Sequence, residues 1–327
     1  MNKIIIAFSS LVLIISMLDT KVQERNFENT VKSCVLEEKQ SYTITNGILT
    51  VSILTKGAEL SSLKTKTMEY LWQANPEYWP RHAPILFPIV GPLKDGEYIY
   101  KNKKYPMAQH GFARDYDFKV IEKHKNSIVL EQRANDETKK IYPFNYILQV
   151  HYTLENKQLK VEYVVKNPSS DVMCFSIGAH PAFNCPFEAG QKRSDYQLVF
   201  DKKLSPKAKK KEGPFFVEKY MQVFDEPGIL ELPDGRFDDH VICFDPNPFS
   251  KVTFVHKPTG KKYLSVTFKN CPYLGIWSAG DSPFVCIEPW HGIADNVNHD
   301  KDFTKKEGII KLEPKKTFTF RFTVEVY

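Results

Sequence analysis

From Ser41 to its C-terminus this chain repeats its apolar residues at every second position, and that period limits the folds open to it. Near the end, Phe318, Phe320, Phe322, Val324 and Val326 alternate with Thr319, Arg321, Thr323 and Glu325. Leu159, Val161, Tyr163 and Val165 alternate with Lys160, Glu162 and Val164, and Leu49, Val51 and Ile53 with Thr50 and Ser52. Successive side chains of a strand point to opposite faces, so each run buries one face and wets the other. Further β-branched or aromatic runs are Ser127–Arg133, Tyr146–Leu154, Val172–Ile177, Lys251–His256 and Tyr263–Phe268. Turn signals separate the runs, among them Asn167-Pro168-Ser169 and Pro258-Thr259-Gly260. Tyr146–Leu154 and Gln158–Lys166 are close enough to form a hairpin. No long stretch carries helical apolar spacing, and 21 Pro against 15 Gly speak against long uninterrupted helices. No short repeat recurs. The expectation is an all-β protein, a large sandwich whose sheets pack face to face.

Composition narrows the function classes. The 327 residues are 42% hydrophobic and 26% charged, which is globular rather than disordered. A formal net charge of +6 is too mild to point to nucleic acid. The densest basic stretch, Lys202 to Lys211, reads as a solvated loop. Of the six cysteines no two are three apart, so no CxxC pair exists, and most read as small buried hydrophobes.

The N-terminus stands apart. Met1-Asn2-Lys3 precedes fifteen uncharged residues, Ile4 to Leu18, too few for a membrane-spanning helix and suited to a signal-peptide apolar region. The expected organisation is a signal peptide over 1–18, a polar linker over 19–40 and one domain over 41–327. It implies a periplasmic or secreted protein with no stable membrane insertion after processing. The alternatives are an uncleaved anchor or a cytoplasmic protein with a misassigned start.

Several chemistries are absent. No two glycines are two apart, so there is no GxGxxG loop, and none are four apart, so there is no GxSxG elbow. Gly91 and Gly96 have P-loop spacing, but Glu97 and Tyr98 stand where Lys and Ser/Thr are needed. There is no HExxH, and His291 and His299 make no recognisable ligand pair. No metal and no nucleotide cofactor is called for.

Four segments differ from ordinary strand and turn: Tyr78 to Gly91, His110 to Arg114, Ser176 to Asn184, and Val285 to Gly292. In the last, Glu288 follows four apolar residues and precedes Pro289. Burial there raises a carboxyl pKa toward the range of a general base. His180 likewise follows the apolar Phe175–Ala179 region and precedes Pro181. Trp290 offers an aromatic face of the kind sugars stack on.

Leu86–Gly91 (LFPIVG), His110–Arg114 (HGFAR), Ala179–Asn184 (AHPAFN) and Ile287–Trp290 (IEPW) stand in that order in the chain. Together they resemble the motifs of the aldose 1-epimerases, or galactose mutarotases, especially a shorter bacterial branch, over about Ser41–Tyr327. The resemblance implies a single large antiparallel β-supersandwich of the galactose mutarotase-like type. It implies interconversion of the α and β anomers of a free hexose, with no cofactor. Glu288 is then the base that takes the C1 hydroxyl proton, and His180 the acid that protonates the ring oxygen. His110 hydrogen-bonds the sugar and Arg81 is a hydroxyl ligand. Asp239 is the candidate for the family's sugar-binding Asp, with Asp238 and Asp245 as alternatives. Family members often place Arg after the Gly of the first motif. Here Pro92 follows Gly91, so that contact is lost or moves to Arg81, Lys94 or Arg114. Other readings are a hexose-6-phosphate mutarotase, a non-catalytic carbohydrate-binding protein, or a glycoside hydrolase or lyase on the same fold. The implied partner is a small sugar, with no nucleic acid; no oligomeric state follows.

Overall fold

The computed structural model describes residues 40–238 and 241–327, so the leader, the linker up to residue 39, and Asp239 lie outside the described residues. The C-terminal alternating run becomes the strand Thr317–Val326, the middle of a nine-stranded sheet. Phe320, Phe322, Val324 and Val326 are buried, while Thr317, Thr319 and Arg321 are exposed. On one side it pairs with Gln158–Lys166, and beyond lie Ile147–Glu155, Ser127–Arg133 and Lys119–Lys123. On the other side lie Lys262–Phe268, Lys251–His256, Tyr196–Phe200 and Ile229–Glu231. The expected hairpin forms, Glu155 opposite Gln158, turning through Asn156 at φ 50°.

The second large sheet runs Phe215–Met221, Ala208–Glu212, Ile242–Phe244, Tyr273–Trp277, Phe284–His291, Ile177–Ala179, Ile85–Leu86, with Ala182–Asn184 also paired to Phe284–His291. All these pairings are antiparallel. The two sheets meet through aromatic contacts such as Phe183 with Phe254, ring centroids 6.1 Å apart and nearly perpendicular. Burying a side chain of this size contributes roughly 1.5–3 kcal/mol. An N-terminal meander, Ser41–Thr45, Thr50–Leu54 and Leu60–Lys64, adds a third sheet. Among the described residues the single α-helix is Asp136–Ile141, capped by the Asn135 side chain on the Thr138 N–H. No helix there is long and apolar enough to cross a membrane.

Two expectations are corrected. The run Val172–Ile177 is not one strand. Met173–Phe175 pairs with Ile310–Leu312, whereas Ile177–Ala179 joins the second large sheet. Between them the Ser176 N–H donates to the Pro88 carbonyl, 2.7 Å away, so the chain changes partners. Nor is Lys202–Lys211 wholly a loop. Lys202, Lys203 and Lys207 are exposed, but Ala208–Glu212 is a strand. Lys209 is 3% exposed, its charge met by Asp245 at 2.8 Å and Glu307 at 2.7 Å. The five described cysteines are free and buried, as small hydrophobes.

Candidate active site

The strand Phe284–His291 carries the site. On one edge it meets Tyr273–Trp277, and on the other it meets two short strands in succession, Ile177–Ala179 and Ala182–Asn184. His180 and Pro181 bridge those two. The Ile287 N–H donates to the Pro181 carbonyl at 3.3 Å, pinning the bridge against the strand beside Glu288. The His180 Nε2 then lies 3.2 Å from the Glu288 Oε2. Period two places Cys286, Glu288 and Trp290 on one face of their strand.

Gly275 stands opposite Glu288 in the register. A Cβ there would come within 2.5 Å of the Trp290 indole, so the bare backbone is what lets the ring lie across its neighbour strand. Trp290 is only 4% exposed, packed with Leu86, Val90, Phe216 and Ile293. It lines the site, but it is not the open stacking face that its sequence position suggests.

The opposite wall joins two separated motifs. The Phe87 N–H donates to the His110 carbonyl, and the His110 N–H to the Gly91 carbonyl. Gly111, at φ 73°, is where the chain passes so close to Phe87 that a Cβ would sit 2.2 Å from its carbonyl oxygen. The Gly91 N–H donates to the His110 Nδ1 at 3.1 Å. Burial holds the His110 pKa well below its ordinary value, so the ring is neutral and its hydrogen sits on Nε2.

These walls enclose a cavity of about 470 Å³. Arg81, His110, Arg114, His180, Glu288 and Trp290 all line it, so six of the seven residues named from sequence converge. The seventh, Asp239, lies outside the described residues. Of its alternatives, Asp245 is engaged by Lys209 and Asp238 is exposed; neither lines the cavity. Lys94 does not line it either, and its N–H is tied to the Asp295 Oδ2. A larger hollow of about 860 Å³, around His151, Glu162, Thr267 and Arg321, holds none of these groups.

Among the cavity residues that sequence reading did not name as site residues are Trp79, Gln109, Lys211 and Trp277. Trp79 stacks on the His180 imidazole, centroids 4.9 Å apart, and Trp277 meets it edge-on at 5.5 Å. Trp79 had a signal, lying two residues before Arg81 in an unusual segment. Trp277 had none, and Lys211 stood only in the basic run read as a solvated loop.

Burial dominates the electrostatics. It pushes the Glu288 carboxyl well above the usual carboxylate range, opposed by the charge of Lys211. It pushes His180 down to about 3, with Arg114 and Arg81 acting in the same direction. Both shifts favour the neutral forms, so a proton shared by the pair is drawn toward Glu288. Arg114 is pushed down to about 10 by burial and by Arg81. Asp115 pairs with Arg81 at 2.8 Å and approaches Arg114 at 3.7 Å. The Glu288 Oε2, His180 Nδ1 and Trp290 Nε1 are buried without a hydrogen-bond partner. Unpaired polar atoms at a cavity floor are what a hydroxyl-rich ligand satisfies.

The family model described as aldose 1-epimerase matches residues 40–323. Two LacX proteins of Lactococcus lactis subsp. lactis, one plasmid and one chromosomal, are each 35% identical over 280 residues, 82% of this chain and 93% of theirs. A solved galactose mutarotase related enzyme from Lactobacillus acidophilus is 35% identical with a TM-score of 0.82, covering 88% of this chain and 97% of that one. A galactose mutarotase-like protein from Lactobacillus casei is 34% identical with a TM-score of 0.82, covering 88% of this chain and all of that one.

Proposed function

The chain belongs to the aldose 1-epimerase family, and on that premise we propose that it interconverts the α and β anomers of a free hexose, with Glu288 as base and His180 as acid. The observation that carries this reading is the 3.2 Å approach of His180 to Glu288 at the floor of a polar-lined cavity. Ring opening moves the C1 hydroxyl proton to Glu288 while His180 gives its proton to the ring oxygen, and the C1–O5 bond breaks. The open-chain aldehyde then stands beside protonated Glu288 and neutral His180. Burial favours that same protonation state, so the site is matched to the intermediate. After rotation about C1–C2, His180 takes the O5 proton as O5 attacks C1 from the other face, and Glu288 returns a proton to O1. A bound pyranose needs the other tautomer, one proton transfer away. His110 Nε2–H, Arg81 and Arg114 donate to sugar oxygens. Acid and base at opposite ends of a hemiacetal suffice for this chemistry.

The test is polarimetry on freshly dissolved α-glucose and α-galactose. Sugar binding without faster relaxation would favour a non-catalytic binding protein.

One observation favours a second reading, a sugar bearing an anionic group such as a 6-phosphate. Lys211 is a half-buried cavity cation with no ion-pair partner among the described residues, and it joins Arg81 and Arg114. Phosphate recognition needs such cations. A faster rate on hexose 6-phosphates than on free hexoses would select it.

Export is also proposed, supported by the uncharged run Ile4 to Leu18 behind Lys3. N-terminal sequencing of the mature protein decides. An intact Met1 on cytoplasmic protein would sink it.

A further inference from the structure

Beside His180 and Glu288, but outside the cavity lining, lies a donor that anomer interconversion does not use. Cys286 precedes Glu288 by two positions and shares its strand face. One ligand atom each from His180, Cys286 and Glu288 lie within 4.8 Å of one another. The three residues are 7%, 0% and 1% exposed. The Glu288 Oε2 points into this cluster, 3.2 Å from the His180 Nε2, without the alignment of a hydrogen bond. A tetrahedral Zn²⁺, with bonds of about 2.0–2.3 Å, sets its donors roughly 3.2–3.8 Å apart. The His–Glu edge already has that length, and a shift of about an ångström brings in the sulfur. A nitrogen, a sulfur and one carboxylate suit a borderline-soft ion, not Mg²⁺ or Ca²⁺, which take oxygen shells. His180 and Glu288 line the cavity, so the fourth position opens toward it and the ion has an entry route.

We propose that His180, Cys286 and Glu288 form an inhibitory capture site for a thiophilic divalent cation, Zn²⁺ fitting best. The neutral His180 ring binds through a lone pair. The Cys286 thiol loses its proton to solvent, as does Glu288 when it carries one, so capture tightens as pH rises. The bound ion occupies acid and base together and stops anomer interconversion. The inhibition rests on the function proposed above; the binding does not.

The experiment uses the full-length protein, stripped with EDTA and dialysed. Zn²⁺ is titrated into the mutarotation assay, and Co²⁺ is titrated in parallel with near-ultraviolet absorbance recorded. We expect micromolar Zn²⁺ to lower the rate more than tenfold, EDTA to restore it, and excess sugar to shift the curve to higher Zn²⁺. Cys286→Ser should keep the metal-free rate within about twofold. It should need at least about tenfold more Zn²⁺, since loss of even an outer partner costs 10–100-fold in affinity. Co²⁺ should give a thiolate charge-transfer band that the variant lacks. Cys286→Ala serves if the Ser variant folds poorly. Equal Zn²⁺ sensitivity of wild type and variant, or no band difference, overturns the proposal. If no sugar is anomerised at all, the Co²⁺ band alone still decides whether the site binds.

Discussion

His180 and Glu288 come within 3.2 Å of each other from distant parts of the chain, and neither is exposed enough to titrate as it would in water. Replacing either should remove the proton relay and keep the fold. Glu288→Gln and His180→Asn are each expected to lower the mutarotation rate by at least ~10²-fold with an unchanged circular dichroism spectrum. Polarimetry checks this, and near-normal rates in both variants would refute the assignment.

In the proposed reaction the pair must hold a single proton. Glu288 is raised well above its ordinary value by burial, so its proton is held to higher pH than a free carboxyl holds it. His180 is lowered to about 3, so a second proton arrives only in acid. The expected profile of kcat/KM has its acid limb far below neutral and falls at higher pH as the pair's proton is lost. A loss of activity on acidification through the ordinary histidine value of about 6.5 would contradict these directions.

Lys211 offers a directional check on the same limb. Its positive charge pulls the Glu288 pKa down against burial. Lys211→Met should therefore move the alkaline fall of the profile to higher pH. A shift to lower pH, or none, would show that Lys211 does not act on Glu288.

Gly275 is required by packing. Gly275→Ala would put a methyl group within 2.5 Å of the Trp290 ring, flanked by well-packed neighbours. Overpacking of this kind costs about 1–3 kcal/mol. Denaturant titration should show that loss, and sugar affinity should fall as the indole is displaced from the cavity wall. A Tm unchanged from wild type would mean the sheet relaxes around the methyl.

A buried ion pair supports the far wall. Lys306 and Asp295, both essentially unexposed, meet at 2.9 Å, and Asp295 also accepts from the Lys94 N–H. Lys306→Met leaves the Asp295 charge unpaired and is expected to cost about 3–5 kcal/mol in urea unfolding. Ala294, next to Asp295, lines the cavity, so KM should rise as well.

The strands Ser127–Arg133, Gln158–Lys166 and Lys251–His256 were readable to the residue, because alternation and β-branched or aromatic enrichment between turn signals are local patterns. His110, His180 and Glu288 were readable too, because each sits in a short segment unlike its neighbours. Leu86–Gly91 and His110–Arg114 carried no hint that they form one wall, which the Gly91–His110 hydrogen bonds create.

The amino-acid sequence alone determined the all-β class, most strands and the two residues, His180 and Glu288, that meet in the cavity, since period, turn residues and motif chemistry act over a few positions. The tertiary structure decided which side chains share the cavity. It turned Lys211 of a basic run toward Glu288, brought Trp277 against His180, and covered Trp290. It also split Val172–Ile177 between two sheets. The reason is physical: a side chain's environment is set by the strand paired beside its own and by their register, and both come from contacts between residues far apart in the chain.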